Sequence, residues 1–422
     1  MKKLLIVLGA GASIDFGMPK VSDVDKLFEK LASIHFPIIE NRASVNDNLY
    51  NWVKNNFNAN ELKSLNYEDI MFKVQNIASF SKNHKIYYGS NSEYIPPKEF
   101  PKIRSYYKYE TIANSDELIK MNAVLNHGLL TNLREKGKNL QTAKEPELDQ
   151  IKQFFNFLGQ DYEMGFVNLN HDNVLLSALP ELKTGFDKNT GKFDSEMFYN
   201  NEWNFCYHIH GSIHFNMEDD NITWKEDLNE KFGLGAPNRR SFDTEEGATH
   251  PMSTIITGKD KINQIYREPF RQYFLSLDRK IYESDTILFI GYGFNDSYIN
   301  ELIRTHSKDK SKQRNLVVID YKDENMDCLA KVGGDDWAQK MLNTSNNHFT
   351  DMRSGNINWN DVPNKVSEFI KAQTFEYSND RDNPLFVWYS GFLDACNHRD
   401  KILKALKGDF YFPDKPHDVQ EY

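Results

Sequence analysis

The sequence predicts an α/β protein: a Rossmann-like parallel sheet flanked by helices, with an inserted helical layer and a C-terminal α-rich extension. Three observations carry the prediction. Short, largely apolar runs such as Leu4 to Leu8 and Thr286 to Ile290 are what strands buried on both faces require. Stretches with helical spacing separate them, and each run closes on a glycine or polar tip. Strands alternating with helices build a parallel sheet whose ligand lies outside the carboxyl ends, so function is sought at the tips.

The first run stops at Gly9-Ala10-Gly11-Ala12-Ser13. Glycines there let the backbone approach a pyrophosphate, and a following helix would aim its N–H groups at the charge. Ile14 stands where the usual dinucleotide fingerprint has its third glycine, so an ordinary strand-to-helix turn is an equal reading of this segment alone. Next, Val24, Leu27, Phe28, Leu31 and Ile34 share one helical face, with Ser22 placed to cap it. A second helix carries Ile70, Met71, Val74 and Ile77 behind Glu68 and Asp69. Gly89, Pro96, Pro97 and Pro101 break the pattern between Ser79 and Thr111, and helical spacing resumes through Leu118 to Leu129 and Ile151 to Leu158. Residues 20–160 are thus expected to form a helical layer inserted into a core made of 1–20 and 160–325.

Strands are expected again at Gly165 to Leu169, ending in Asn170-His171-Asp172, and at Asn204 to Ile209, ending in His210-Gly211-Ser212. Ser253 to Thr257 is read as a further strand and Phe270 to Tyr282 as a helix. Thr286 to Ile290 runs into Gly291-Tyr292-Gly293-Phe294-Asn295-Asp296, where Asn295 or Asp296 can cap the next helix, and Leu316 to Ile319 ends at Asp320. Beyond this, 325–422 is read as a helical extension, with Trp359, Val362, Val366, Phe369 and Ile370 on one helix and a second apolar segment from Phe386 to Leu393.

Composition narrows the class. A chain of 422 residues with 39% hydrophobic and 27% charged content reads as a soluble globular protein of two or three domains. A net charge of -10 argues against a generally basic nucleic-acid surface and leaves only a local patch such as Asn238-Arg239-Arg240. The three cysteines, Cys206, Cys328 and Cys396, are too few and too scattered for a disulfide framework or a four-cysteine zinc site, which suits a cytoplasmic location. Lys2-Lys3 and the following apolar run imitate a signal peptide, but the apolar core is very short, and no stretch approaches a membrane span.

Four tips, taken in order, carry a resemblance: the glycine turn with Gly17-Met18-Pro19, the Asn170-x-Asp172 strand end, His210-Gly211, and the glycine-rich loop from Gly291 to Asp296. Together they resemble the sirtuin superfamily, and within it the zinc-less sirtuin-like NAD hydrolases of bacterial antiphage defence. There are departures. Lys20-Val21 stand where deacylating sirtuins have Asp-Phe-Arg after the Gly-x-Pro, the zinc cysteines are missing, and Leu169 and His171 replace the family's Gln and Ile.

The resemblance implies NAD as substrate, with no metal. Breaking the nicotinamide–ribose bond builds positive charge on the sugar, and water then attacks it. By resemblance Asn170 would hold the water or the ribose hydroxyls, Asp172 would stabilise charge or bond the carboxamide, and His210 would be the general base. Gly9, Ala10, Gly11 and Ser13 would cradle the phosphates, Gly291 and Asn295 would line the opposite wall, and Asp320 would bond the adenine ribose. Each position has a structural alternative, since Asn and Asp after strands are usually caps or turn residues. Asp296 reads first as a cap. His208, His210 and His214 alternate as metal ligands sometimes do, but no carboxylate or cysteine cluster completes such a set.

An NAD hydrolase that acts by depleting the cofactor is the leading expectation. A deacylase or ADP-ribosyltransferase using the same bond cleavage is the second, and a non-catalytic NAD or ADP-ribose sensor the third. The size and aromatic tail resemble the stand-alone subunit that pairs with a HerA-type ring ATPase. This implies a homo-oligomer, that protein partner, no membrane, and nucleic acid only indirectly.

Overall fold

A computed structural model describes residues 1–39, 47–56, 65–84, 100–198, 202–218, 221–232, 241–243, 249–251, 253–258, 265, 267–309, 312–329, 336–354, 365–372 and 375–410. Gly89, Pro96, Pro97, the Asn238-Arg239-Arg240 patch, Trp359 and Val362 lie outside the described residues.

The apolar runs form one sheet. Its strands in chain order are β1 (Lys2–Leu8), β2 (Tyr162–Asn168), β3 (Phe205–His208), β4 (Thr286–Ile290), β5 (Asn315–Ile319), β6 (Met352–Ser354), β7 (Glu376–Ser378) and β8 (Leu385–Trp388). They lie in the order β6-β7-β8-β5-β4-β1-β2-β3. Pairing is parallel from β8 across to β3 and antiparallel at β7 and β6. The chain lays β2 and β3 to one side of β1, then crosses to build β4 and β5 on the other. The boundary between β1 and β4 is therefore the switch point of a doubly wound sheet, the place beyond the strand ends where such sheets bind ligands.

Leu4 to Leu8 of β1 are all buried, and successive side chains alternate between two cores as the pleat requires. Leu4, Ile6 and Leu8 join one core with α1 (Val21–His35), α2 (Leu49–Asn56), α3 (Tyr67–His84), α4 (Ser115–Lys138) and α5 (Glu145–Leu158). Leu5 and Val7 join the opposite core, which after the short α6 (Val174–Ala178) is built with α7 (Phe270–Glu283), α8 (Ser297–Ser307) and α9 (Asp336–Ser345). Asn114 caps α4 by accepting from the Glu117 N–H. The cap expected of Ser22 is not used, because α1 begins one residue earlier and the Asp23 carboxylate accepts from the Lys20 N–H at 3.1 Å.

Three local expectations change. The turn after β1 enters a seven-residue 3₁₀ helix, Ala10–Phe16, which stops at Gly17 in the left-handed region; it is not the start of an α-helix. Ser253 to Thr257 is not a strand: it makes an isolated bridge from Ile255 to Gly211, and the Ile256 N–H donates to the His210 carbonyl at 2.8 Å before the chain turns at Gly258. Finally, the stretch after residue 325 carries α10 (Val366–Ala372), α11 (Phe392–Asn397) and α12 (Arg399–Lys407), and also β6, β7 and β8. Leu385 to Trp388 is buried at every position, as a parallel interior strand must be, and lies between β5 and β7. Among the described residues no helix is long and apolar enough to cross a membrane.

Candidate active site

Two loops meet at the switch point through bare backbone. The Gly9 N–H donates to the Ile290 carbonyl at 2.9 Å and the Gly11 N–H to the Gly291 carbonyl at 3.0 Å. A Cβ on Gly9 would stand 2.5 Å from the Gly291 oxygen, and one on Gly11 2.7 Å from the Gly291 Cα. Gly291 itself has φ of 59°, a conformation that side chains disfavour. These glycines are required by the approach of β1 to β4. The N–H groups of Gly9 and Gly11, expected to face a phosphate, are instead engaged between loops, while Ala10 is exposed.

Asn170 follows β2 and reaches back to β1. Its Nδ2 donates to the Gly9 carbonyl at 2.8 Å and to Ser13 Oγ at 3.0 Å. Asp172 is buried beside them. Burial raises its carboxyl above the ordinary range, opposed by the Val174 N–H, which donates to Oδ1 at 3.0 Å, and by the Ser13 hydroxyl. Ser13 thus links the two polar residues of the Asn-x-Asp tip. A narrow cavity of about 10 Å³, room for about one water, runs past Ser13, Asn168, Asn170 and Asp172, closed on the apolar side by Leu8, Ile151 and Phe392.

His210 follows β3 and is only 4% exposed. Its Nδ1 lies 3.3 Å from the Leu169 carbonyl, the peptide oxygen that immediately precedes Asn170. Its Nε2 lies 3.0 Å from Asp296 Oδ2. Asp296 does cap α8, through Oδ1 and the N–H groups of Tyr298 and Ile299, but its second oxygen reaches the histidine. That second contact is what the sequence reading missed. The signal available was a capping aspartate in the same glycine loop that meets Gly9 and Gly11.

Asn170, Asp172, His210, Gly9, Gly11, Ser13 and Gly291 are therefore brought together. Two residues fall elsewhere. Asn295 accepts from Lys340 Nζ at 2.7 Å, away from His210. Asp320, at the end of β5, is buried, which raises its carboxyl; Lys322, at 3.5 Å, and the Tyr321 N–H oppose the shift. It is linked to the site through the Gly291 N–H, which donates to the carbonyl of the preceding residue, Ile319, at 2.8 Å.

The other histidines pack rather than gather. His208 is fully buried, its pKa pushed down to about 3 by desolvation and then by His214 and His171. Its Nε2 lies 3.5 Å from Cys206 Sγ, and the His214 ring stacks on Trp224 at 4.6 Å. Among the described residues no group of three or more His, Cys, Asp or Glu could hold a metal ion.

With this geometry in place the chain can be compared with known proteins. Residues 165–348 match the family model of a SIR2-like domain. The SIR2-like match spans β2 to α9 and contains Asn170, Asp172, His210, Gly291 and Asp296, and it supports the sirtuin-like superfamily. A solved structure of a Sir2 homologue mutant in complex with 2'-O-acetyl ADP ribose aligns over 75% of this chain and 80% of its own at 11% identity, with a TM-score of 0.28. No curated protein matches the chain.

Proposed function

We propose that the protein is an NAD⁺ glycohydrolase, cleaving the nicotinamide–ribose bond to give nicotinamide and ADP-ribose. One observation supports the reading: His210 Nδ1 lies 3.3 Å from the carbonyl of Leu169, the residue before Asn170, so the two residues with the strongest chemical case stand at neighbouring strand ends. The SIR2-like match over 165–348 supports an NAD-utilising enzyme in the same stretch.

The chemistry follows from the partners already present. Both N–H bonds of the Asn170 amide are used on Gly9 and Ser13, so its Oδ1 is the atom left to accept from a water or a ribose hydroxyl. Held by a rigid backbone, that oxygen orients rather than reacts. Asp172, buried at the same wall, provides negative charge or a carboxamide partner where the sugar becomes cationic. His210 takes the proton from water or hydroxyl as the new C–O bond forms. In this reading Asp320, at the end of β5, bonds the adenine ribose, and Asn295 lines the wall opposite the phosphate turn.

The biological role attached to this reading is NAD⁺ depletion in antiphage defence, as a homo-oligomer with a HerA-type ring ATPase; the motif resemblance supports it. Incubating the protein with NAD⁺ and following nicotinamide by chromatography, beside Asn170→Ala and His210→Ala, tests the activity. Stoichiometric release lost in both variants is the expected result, and equal release in all three would overturn the site assignment. Inclusion of an acyl-lysine peptide separates hydrolysis from deacylation, which consumes both.

A further inference from the structure

The contacts of His210 dictate where its protons are. The Leu169 carbonyl can only accept, so Nδ1 carries a hydrogen. Asp296 Oδ1 accepts from the N–H groups of Tyr298 at 3.1 Å and Ile299 at 3.2 Å, in the first turn of an eleven-residue helix. Two backbone donors and the positive end of the helix favour the ionised carboxylate. Its second oxygen, 3.0 Å from Nε2, then accepts a hydrogen from the ring. The side chains are 5% and 6% exposed, so the interaction is little screened.

We propose that Asp296 is the positioning residue of His210: it fixes the ring at the end of β3 and holds a proton on Nε2, and the ring accepts a proton from water or hydroxyl only after that Nε2 proton has passed to solvent as the pair parts. This rests on the reading of His210 as the base. With both ring nitrogens directed at oxygen, the pairing favours the protonated form of His210. Removing the Asp296 charge frees the ring to be neutral at lower pH. Among the groups facing His210 are the Asp296 carboxylate from α8, the Leu169 carbonyl just beyond β2 and the Ile256 N–H, which bonds the His210 main chain. His208, two residues back, interacts with His214 and His171.

The test is a titration of the His210 ring by NMR on full-length protein carrying ¹³C-labelled histidine, assigned by loss of the signal in His210→Gln. The parent is compared with Asp296→Asn and Asp296→Ser, both of which keep a capping oxygen for α8. The expected result is a His210 midpoint lowered by about one to three pH units in both variants. The acid limb of the NAD⁺-cleavage profile should move down with it. A purely structural role for Asp296 lowers activity without moving either midpoint, and that result overturns the proposal. If the ring titration shifts but no variant, nor the parent, cleaves NAD⁺, the positioning role stands and the glycohydrolase reading falls. Should Asp296→Asn not fold, Asp296→Ser carries the same comparison.

Discussion

Asn170 and Ser13, 157 residues apart in sequence, are joined at 3.0 Å across the ends of β1 and β2, and Ser13 also bonds Asp172. One hydroxyl therefore serves both members of the Asn-x-Asp tip. Ser13→Ala is expected to lower stability by about 1–2 kcal/mol at neutral pH, because the buried Asp172 carboxylate loses a donor. Burial already raises the Asp172 carboxyl, and losing the hydroxyl raises it further. The destabilisation should thus widen as pH rises through the folded titration range, where only the ionised form misses the bond. Urea midpoints of parent and variant between pH 4 and 8 check this.

Gly291→Ala is expected to cost about 2–4 kcal/mol, since the residue has positive φ and its added Cβ would stand 2.5 Å from the Gly11 Cα. Gly293, two residues on, is the control. A Cβ there meets only the Asn295 side chain at 3.1 Å, so Gly293→Ala should stay within about 0.5 kcal/mol of the parent. Thermal unfolding separates the two.

The protein should lose stability in mild acid through His208. Its folded pKa of about 3 lies below the ordinary 6.5, so the unfolded chain binds the extra proton first. The stabilisation is complete above pH 6.5 and falls as the pH drops toward 3, by up to about 1.4 kcal/mol per pH unit. Asp172 works in the opposite sense. The His208 share is therefore read as the reduction in slope between parent and His208→Leu, measured as urea midpoint against pH from 7 to 5.

Ending the chain before Leu385 should give insoluble protein rather than a trimmed core. The missing strand β8 covers one edge of β5, and without it an apolar parallel strand presents unpaired backbone. Fractionation of a chain stopped after residue 380 provides the check. Recovery of a soluble, cooperatively folding product would contradict the topology.

The strand tips were legible because each belongs to a local pattern. A run such as Ile287 to Ile290 followed by glycine is readable from neighbours alone, and so is the face formed by Val24, Leu27, Phe28 and Leu31. Leu385 to Trp388 was visible as apolar but not as a sheet strand, because a four-residue apolar run has too little periodicity to tell a strand from a buried helix turn. The 3₁₀ turn after β1 was missed because the bonds that seat its start, from the Gly9 and Gly11 N–H groups to the Ile290 and Gly291 carbonyls, come from the distant β4 loop.

The sequence by itself determined the parallel α/β architecture, the order of the tips, and the residue types able to orient, stabilise and accept a proton. Tertiary structure alone decided which atoms were available. It spent the Gly9 and Gly11 N–H groups on the neighbouring loop, turned Asn295 to Lys340, and gave Asp296 both a helix cap and a histidine. The reason is physical: periodicity and capping act within a few residues, whereas a hydrogen-bond partner is fixed only when strands distant in the chain meet at one edge.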